Sequence, residues 1–375
     1  MIARFRCLSL LILSLSLATP LAAQGKRKVI IDQDCRGPAT TDLQAILMLI
    51  QSPETDVIGI TVVSGDQWRD EEVAHTLRLL EIIGRMDIPV VPGAIFPLIN
   101  SKEEIARWEK LYGHVIYQGA WNWDNVHEPY VVPPLPEGNP TTRPAKEDAA
   151  HFLIRMVHRY PHEITIYAGG PPTNLGLAIA IDPEFPKLAK ELILMGGGIN
   201  PGRSDPEFYT SPRREFNFWW DPEATRMVLR APWPRIVCTT VDISMKTHLT
   251  KAMIAEIVKT KTPVAQYIGK YSDEEYMWDE LAAAAWLDPS LITKSEKLYM
   301  DVSIDHGASY GDHLVWVPGS NPGLGEQLAE VQEEVDAAKF YRMFIDLMTR
   351  PTPSARFSHA QGESAPADAA ASARR

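Results

Sequence analysis

The chain has 375 residues, 45% of them apolar, with 48 acidic against 37 basic side chains and a formal net charge of -11. That composition can bury the core of one large α/β domain or two smaller ones, and the acidic balance argues against a nucleic-acid partner held through its phosphates. Three cysteines exclude a scaffold built on disulfides.

Residues 1–23 contain Arg4 and Arg6, an apolar run from Leu8 to Leu17, and the small residues Ala22 and Ala23. This is the pattern of a secretory signal peptide, since the run is shorter than the roughly 20 residues a spanning helix needs. Cleavage would remove Cys7 and two basic groups, leaving 35 basic against 48 acidic side chains, a net charge of -13, with Cys35 and Cys238 as the remaining thiols. The expected location is periplasmic or secreted, with no membrane contact after cleavage. Residues 351–375 are rich in Ala, Ser and Pro with little to bury, and are expected to form a disordered tail after a folded domain at 24–350.

The first expected strand, Lys28 to Ile31, empties into Asp32 and Asp34; after Gly37 and Pro38 a third carboxylate, Asp42, opens an apolar helical segment at 42–51. The run 56–63 then precedes a helix at 71–84, where Val73, Leu77, Leu80 and Ile83 form one core stripe. Residues 163–168 precede a helix at 173–181, and two more β-branched or apolar runs follow at 191–195 and 235–240. This alternation predicts an α/β fold: a single large domain with an open, mostly parallel, Rossmann-like sheet flanked by helices. Residues 94–142 break the rhythm with Pro, Asn, Trp108, Trp121 and Trp123. Long insertions after a strand are more often functional than ornamental.

Ligands of open parallel sheets sit outside the carboxyl ends of the strands. The acids after Ile31, then Asp66, Gly169-Gly170-Pro171-Pro172, and the glycines after Met195 all belong there. Three carboxylates held close together repel one another unless a cation neutralises them, and oxygen-only donors favour Ca²⁺ or Mg²⁺ over Zn²⁺. The competing reading is that Asp42 caps a helix and Asp34 closes a turn. Asp279, in the helix-period segment 273–292, would by itself be a solvated helix residue.

Taken in order, these residues and the stretches ITVVSGD (60–66), GGPPTNL (169–175), LILMGGG (192–198), REFNFWWDPEA (214–224) and YMWDELAAAAWLDP (276–289) resemble the inosine-uridine-preferring nucleoside hydrolase family. The resemblance runs from about residue 28 to about 345. It implies a Ca²⁺-dependent N-ribohydrolase acting on a small nucleoside, and a homo-oligomer, dimer or tetramer. By position Asp34 would be metal ligand and general base, with Asp42, the main-chain carbonyl near Gly169, and Asp279 as further ligands. Asp66, Glu215 and Asn217 would hold ribose hydroxyls, with Met195 close by. A floor of carboxylates suits a reaction whose transition state carries positive charge on the sugar ring.

The sequence departs from the family pattern in several places. Seven residues, Cys35 to Thr41, separate Asp34 from Asp42 where the family has a compact DxDxGxDD, and Thr41 replaces an acid. Asp66 stands where many members have Asn. Trp278 stands where several have His, which resembles the purine-preferring branch, whose tryptophans sandwich the base. Trp108 or Trp121 could supply the opposite face, or could be hydrophobic plugs or a subunit contact. Phe218 to Trp220 reads as a buried strand, and His306 and His313 as surface or supporting residues. Two rivals remain at this level: a haloacid-dehalogenase-type phosphotransferase with Asp32 as nucleophile, and an exported nucleoside- or sugar-binding protein without turnover.

Overall fold

Residues 25–122, 127–200 and 213–355 are described by a computed structural model. The expected leader at 1–23, Trp123 and most of the expected tail, from 356 on, lie outside the described residues, and 351–355 are in neither helix nor strand.

The strands are β1 Arg27–Gln33, β2 Thr55–Val62, β3 Val90–Pro92, β4 Ile164–Ala168, β5 Glu191–Met195, β6 Ile236–Thr239, β7 His248–Leu249, β8 Glu275–Tyr276, β9 Ile292–Val302, β10 His313–Trp316 and β11 Leu328–Val335. Nine of them form one sheet in the order β10-β9-β11-β6-β5-β4-β1-β2-β3. From β11 to β3 every neighbouring pair is parallel, while β9 runs antiparallel to both β11 and β10. β7 and β8 pair separately.

The continuous apolar run in β1 reflects burial on both faces, as parallel strands between helical layers require. Val29 and Ile31 join the core beneath one layer, Ile30 the core beneath the other. The first layer contains α1 (Thr41–Gln51), α2 (Arg69–Ile83) and the helices Trp278–Leu287 and Ala337–Thr349; the second contains Ala149–Arg159, Thr173–Ile181 and Pro222–Arg230. Every residue of α1 is buried. It lies against Trp278–Leu287, whose small, buried Ala282 to Ala285 permit close approach. Replacing Ile46 at the centre of α1 by Ala is therefore expected to cost about 2–5 kcal/mol, read as a lower denaturation midpoint.

The strand order advances outward from β1 in both directions, so the connections after β1 and β4 part and leave a crevice at the carboxyl edge. The insertion is fastened to α2, where Glu137 Oε1 meets the buried His75 Nδ1 at 2.5 Å. The expected strand at Phe218–Trp220 is instead a short helix, Phe216–Trp220. Its side chains are buried as a strand's would be, but Glu215 accepts hydrogen bonds from the Asn217 and Phe218 N–H groups and so turns the chain into a helical start. Both described thiols, Cys35 and Cys238, are buried and free.

Candidate active site

A cavity of about 390 Å³ opens at this edge, lined by six carboxylates: Asp34, Asp42, Asp66, Glu215, Glu275 and Asp279. Arg36, Tyr117, Met195, Phe216, Asn217, Trp278 and the backbone at Gly169 complete much of its wall.

The local chain explains how the acids reach it. Asp34 leaves β1 and accepts the Asp66 N–H at 3.0 Å on Oδ2. A Cβ at Gly65 would lie 2.1 Å from that same oxygen, so the approach requires glycine. Asp42, in the first turn of α1, accepts from Gln33 Nε2 at 2.8 Å and from the Thr40 hydroxyl at 3.0 Å. Asp279 opens its helix with its N–H on Thr41 Oγ1 at 3.0 Å, and the Thr41 hydroxyl lies 2.6 Å from Glu280 Oε2. Thr41 thus fastens two helices where the family pattern has an acid. Asp32, the first acid of the pair, is absent from the cavity wall; Thr61 Oγ1 at 2.5 Å and Asn174 Nδ2 at 2.8 Å hold it inside the sheet.

The opposite wall is equally ordered. Glu215 accepts the Gly197 N–H at 2.7 Å, and its own N–H donates to His313 Nε2 at 2.9 Å. His313 is buried, and burial lowers its pKa to about 3, so it supports this turn as a neutral imidazole. Asn217 donates from Nδ2 to the Gly169 carbonyl at 2.6 Å and to that of Met195 at 3.3 Å.

Electrostatically the cavity is overloaded. Burial first, then Asp66, Asp42, Glu72 and Asp279, push the Asp34 carboxyl well above its ordinary value; burial, Asp66 and Asp279 do the same to Asp42. Burial raises Asp279 to about 7 and Glu215 to about 7, and raises Glu275 to about 8 even with Arg36 opposing. Acids perturbed by burial and by one another, gathered in one cleft, mark this cavity as the candidate functional site.

A sequence model described as inosine-uridine preferring nucleoside hydrolase matches residues 29–342. The chain belongs to that family. Among curated relatives, "Probable uridine nucleosidase 2" of Arabidopsis thaliana is 32% identical over 257 residues, 68% of this chain and 72% of the relative. "Pyrimidine-specific ribonucleoside hydrolase RihA" of Citrobacter koseri is 30% identical over 278 residues, 70% of this chain and 81% of the relative. A solved plant nucleoside hydrolase, PpNRh1, superposes with a TM-score of 0.69 at 25% identity, covering 87% of this chain and 99% of that one. The chain is accordingly a nucleoside hydrolase, an enzyme cleaving the N-glycosidic bond of ribonucleosides, and the phosphotransferase reading is withdrawn.

Nucleoside hydrolases of this family are metal-dependent, and the donors present here suit a hard cation. They are all oxygens. Asp279 Oδ1 and Gln33 Oε1 are both buried, and a Cβ at Gly169 would come within 2.6 Å of the first and 1.9 Å of the second, so only glycine lets the backbone approach these two oxygens. The Gly169 carbonyl, though taken by Asn217, keeps a second lone pair. Among the described residues no three acidic, His or Cys side chains have closed on one point. Like charges without a counter-ion have no reason to do so.

The structure corrects the aromatic expectation in this nucleoside hydrolase. Trp278 lines the cavity, but Trp108 does not. The Trp108 indole N–H donates to the Gly307 carbonyl at 2.9 Å, and the Arg214 guanidinium covers its ring at 4.1 Å, which hold it away. Trp121 is also elsewhere, stacked on Trp220 at 3.9 Å as a buried plug. The insertion instead contributes Ile116 and Tyr117, with Tyr117 packed edge-on against Phe216 at 4.9 Å. The sequence reading missed Arg36, Tyr117 and Glu275. Arg36 follows Asp34 by only two residues, a signal that was available; Tyr117 was hidden among more conspicuous tryptophans. His306 lies half-exposed against Tyr310, outside the cavity.

Proposed function

We propose that this nucleoside hydrolase prefers purine ribonucleosides, uses Ca²⁺, and works outside the cytoplasm. The observation that carries the reading is the convergence of Asp34, Asp42 and Asp279 with Trp278 in one cavity. Asp34, Asp42, Asp279 and the Gly169 carbonyl would hold the ion. When bound, calcium would supply the positive charge that keeps these acids ionised and makes a neighbouring water more acidic.

Asp34 accepts the proton of the attacking water as its oxygen bonds to C1′ of the ribose. The C1′–N bond breaks with its electron pair moving onto the base, which leaves and takes up a proton. Asp66, Glu215 and Asn217 orient the ribose hydroxyls, and the surrounding carboxylates favour the cation-like ring of the transition state over the neutral substrate. Trp278 stacks on the base, with Tyr117 and Phe216 also in the wall. A two-ring base covers more of an indole face than a one-ring base does, which supports purines.

The relatives named for uridine and pyrimidine support a second reading, pyrimidine preference. Free ribose released from inosine, adenosine, guanosine and uridine, with and without a chelator, separates the two and also tests a binding protein without turnover. On the purine reading, Trp278→Ala lowers kcat/KM for inosine about tenfold, one aromatic contact's worth, and for uridine by less. Equal losses for both bases count against it. The leader at 1–23 supports export, and the resemblance a dimer or tetramer; N-terminal sequencing of secreted protein and sedimentation read these out.

A further inference from the structure

The loop after Asp34 is fixed from several sides. The Gly37 N–H donates to Gln67 Oε1 at 3.1 Å and the Ala39 N–H to the Tyr267 hydroxyl at 3.0 Å. The Ala39 carbonyl accepts from Gln44 Nε2 at 2.8 Å and from the Ser272 hydroxyl at 2.9 Å. Arg36 sits at the start of this loop, with its N–H on the Asp34 carbonyl at 2.7 Å. A long basic side chain is therefore launched from a backbone hydrogen-bonded on several sides.

Its guanidinium lines the cavity, with Nη1 3.9 Å from Asp66 Oδ2, and among the described residues it is the one basic side chain there. The Asp66 carboxylate also accepts the Tyr117 hydroxyl, while the Asp66 N–H is the donor to Asp34 Oδ2. Asp66 thus stands between a cation and a phenol on its side-chain end and the proposed base on its backbone end. Five other carboxylates in the cavity push against it. On a free surface a 3.9 Å ion pair contributes little, but inside a cavity this acidic the one basic side chain biases where the nearest carboxylate points.

We propose that Arg36 is a positioning residue that acts through Asp66, holding its carboxylate turned toward the ribose subsite against the repulsion of the surrounding acids. This rests on the reading of the cavity as a ribose site. Arg36 itself then needs no contact with the reacting atoms. Its effect depends on Asp66 carrying a charge, because a neutral Asn at that position is not repelled and needs no cation beside it.

A double-mutant cycle tests this. Arg36→Ala, Asp66→Asn and the double variant are compared with the wild type for kcat and KM on the best nucleoside, for ribose binding by calorimetry, and for melting temperature. Arg36→Ala is expected to lower kcat/KM about tenfold or more, chiefly through KM, with little change in melting because the side chain is half-exposed. The double variant is expected to be no worse than Asp66→Asn alone. Arg36→Lys, which keeps the charge on a different head, falls between. Additive losses, or an Arg36→Ala enzyme with unchanged KM and ribose affinity, overturn the proposal and assign Arg36 a direct contact or none. If the wild type releases no ribose and binds none, the ribose reading falls with it; turnover with an additive cycle removes this inference alone.

Discussion

Asp34→Asn is expected to lower kcat/KM by about three to four orders of magnitude while leaving the protein folded. Asn is isosteric and keeps an oxygen to accept the Asp66 N–H, so the turn out of β1 survives. What disappears is the proton acceptor and one of six carboxyl groups in the cavity. Removing an acid whose ionisation burial and its neighbours oppose costs the ion-free protein nothing, so the melting temperature without calcium should hold or rise. Ribose release and thermal melting on the same preparation check both halves. An Asn variant with near-normal turnover would remove Asp34 from the role of base; one that melts early would mean that its activity reports only misfolding.

Removing the proposed calcium ion is expected to abolish turnover, and its effect on stability should depend on pH in a definite direction. The folded-state pKa values of Asp279, at about 7, and Glu275, at about 8, lie above the ordinary carboxylate values, burial being the first cause in each. For such groups the stability is fully present below about pH 4 and is lost as pH rises through 7 to 8, because the unfolded chain releases these protons more readily. The ion-free protein should therefore melt lower at pH 8 than at pH 5. A calcium concentration about 100 times the Kd at pH 8 restores about 2.7 kcal/mol there, and the same concentration should restore less at pH 5, where the acids are protonated and hold the ion less tightly. Calorimetry with chelator or added Ca²⁺ at the two pH values reads this. Melting curves indifferent to chelator at both, with activity intact, would leave the carboxylates without a metal to hold.

Much of the architecture was legible before the structure. The β-branched runs, the helix stripes between them and the acids and glycines after the runs follow from local rules: period, burial on two faces, and loops at carboxyl ends. Asp34, Asp42, Asp66, Gly169, Met195, Glu215, Asn217, Trp278 and Asp279, named from order along the chain, do line one cavity. The aromatic partners were not legible. Trp108 and Trp121 had the right chemistry, but an insertion's side chains are distributed by packing, and Arg214 and Trp220 claim those two rings while Tyr117 is left facing the cavity. Phe218 to Trp220 failed for a related reason: five buried aromatic or polar residues in a row carry no period, and only the Glu215 cap decides for helix.

By itself, then, the sequence determined the layered parallel sheet and the set of acids at its edge, since both arise from short-range patterning and strand direction. Tertiary structure decided which ring faces the cavity, that Asp32 turns into the sheet, and that Arg36 meets Asp66. Those outcomes depend on contacts between segments far apart in the chain, whose competition for one small space is settled only when all of them are packed.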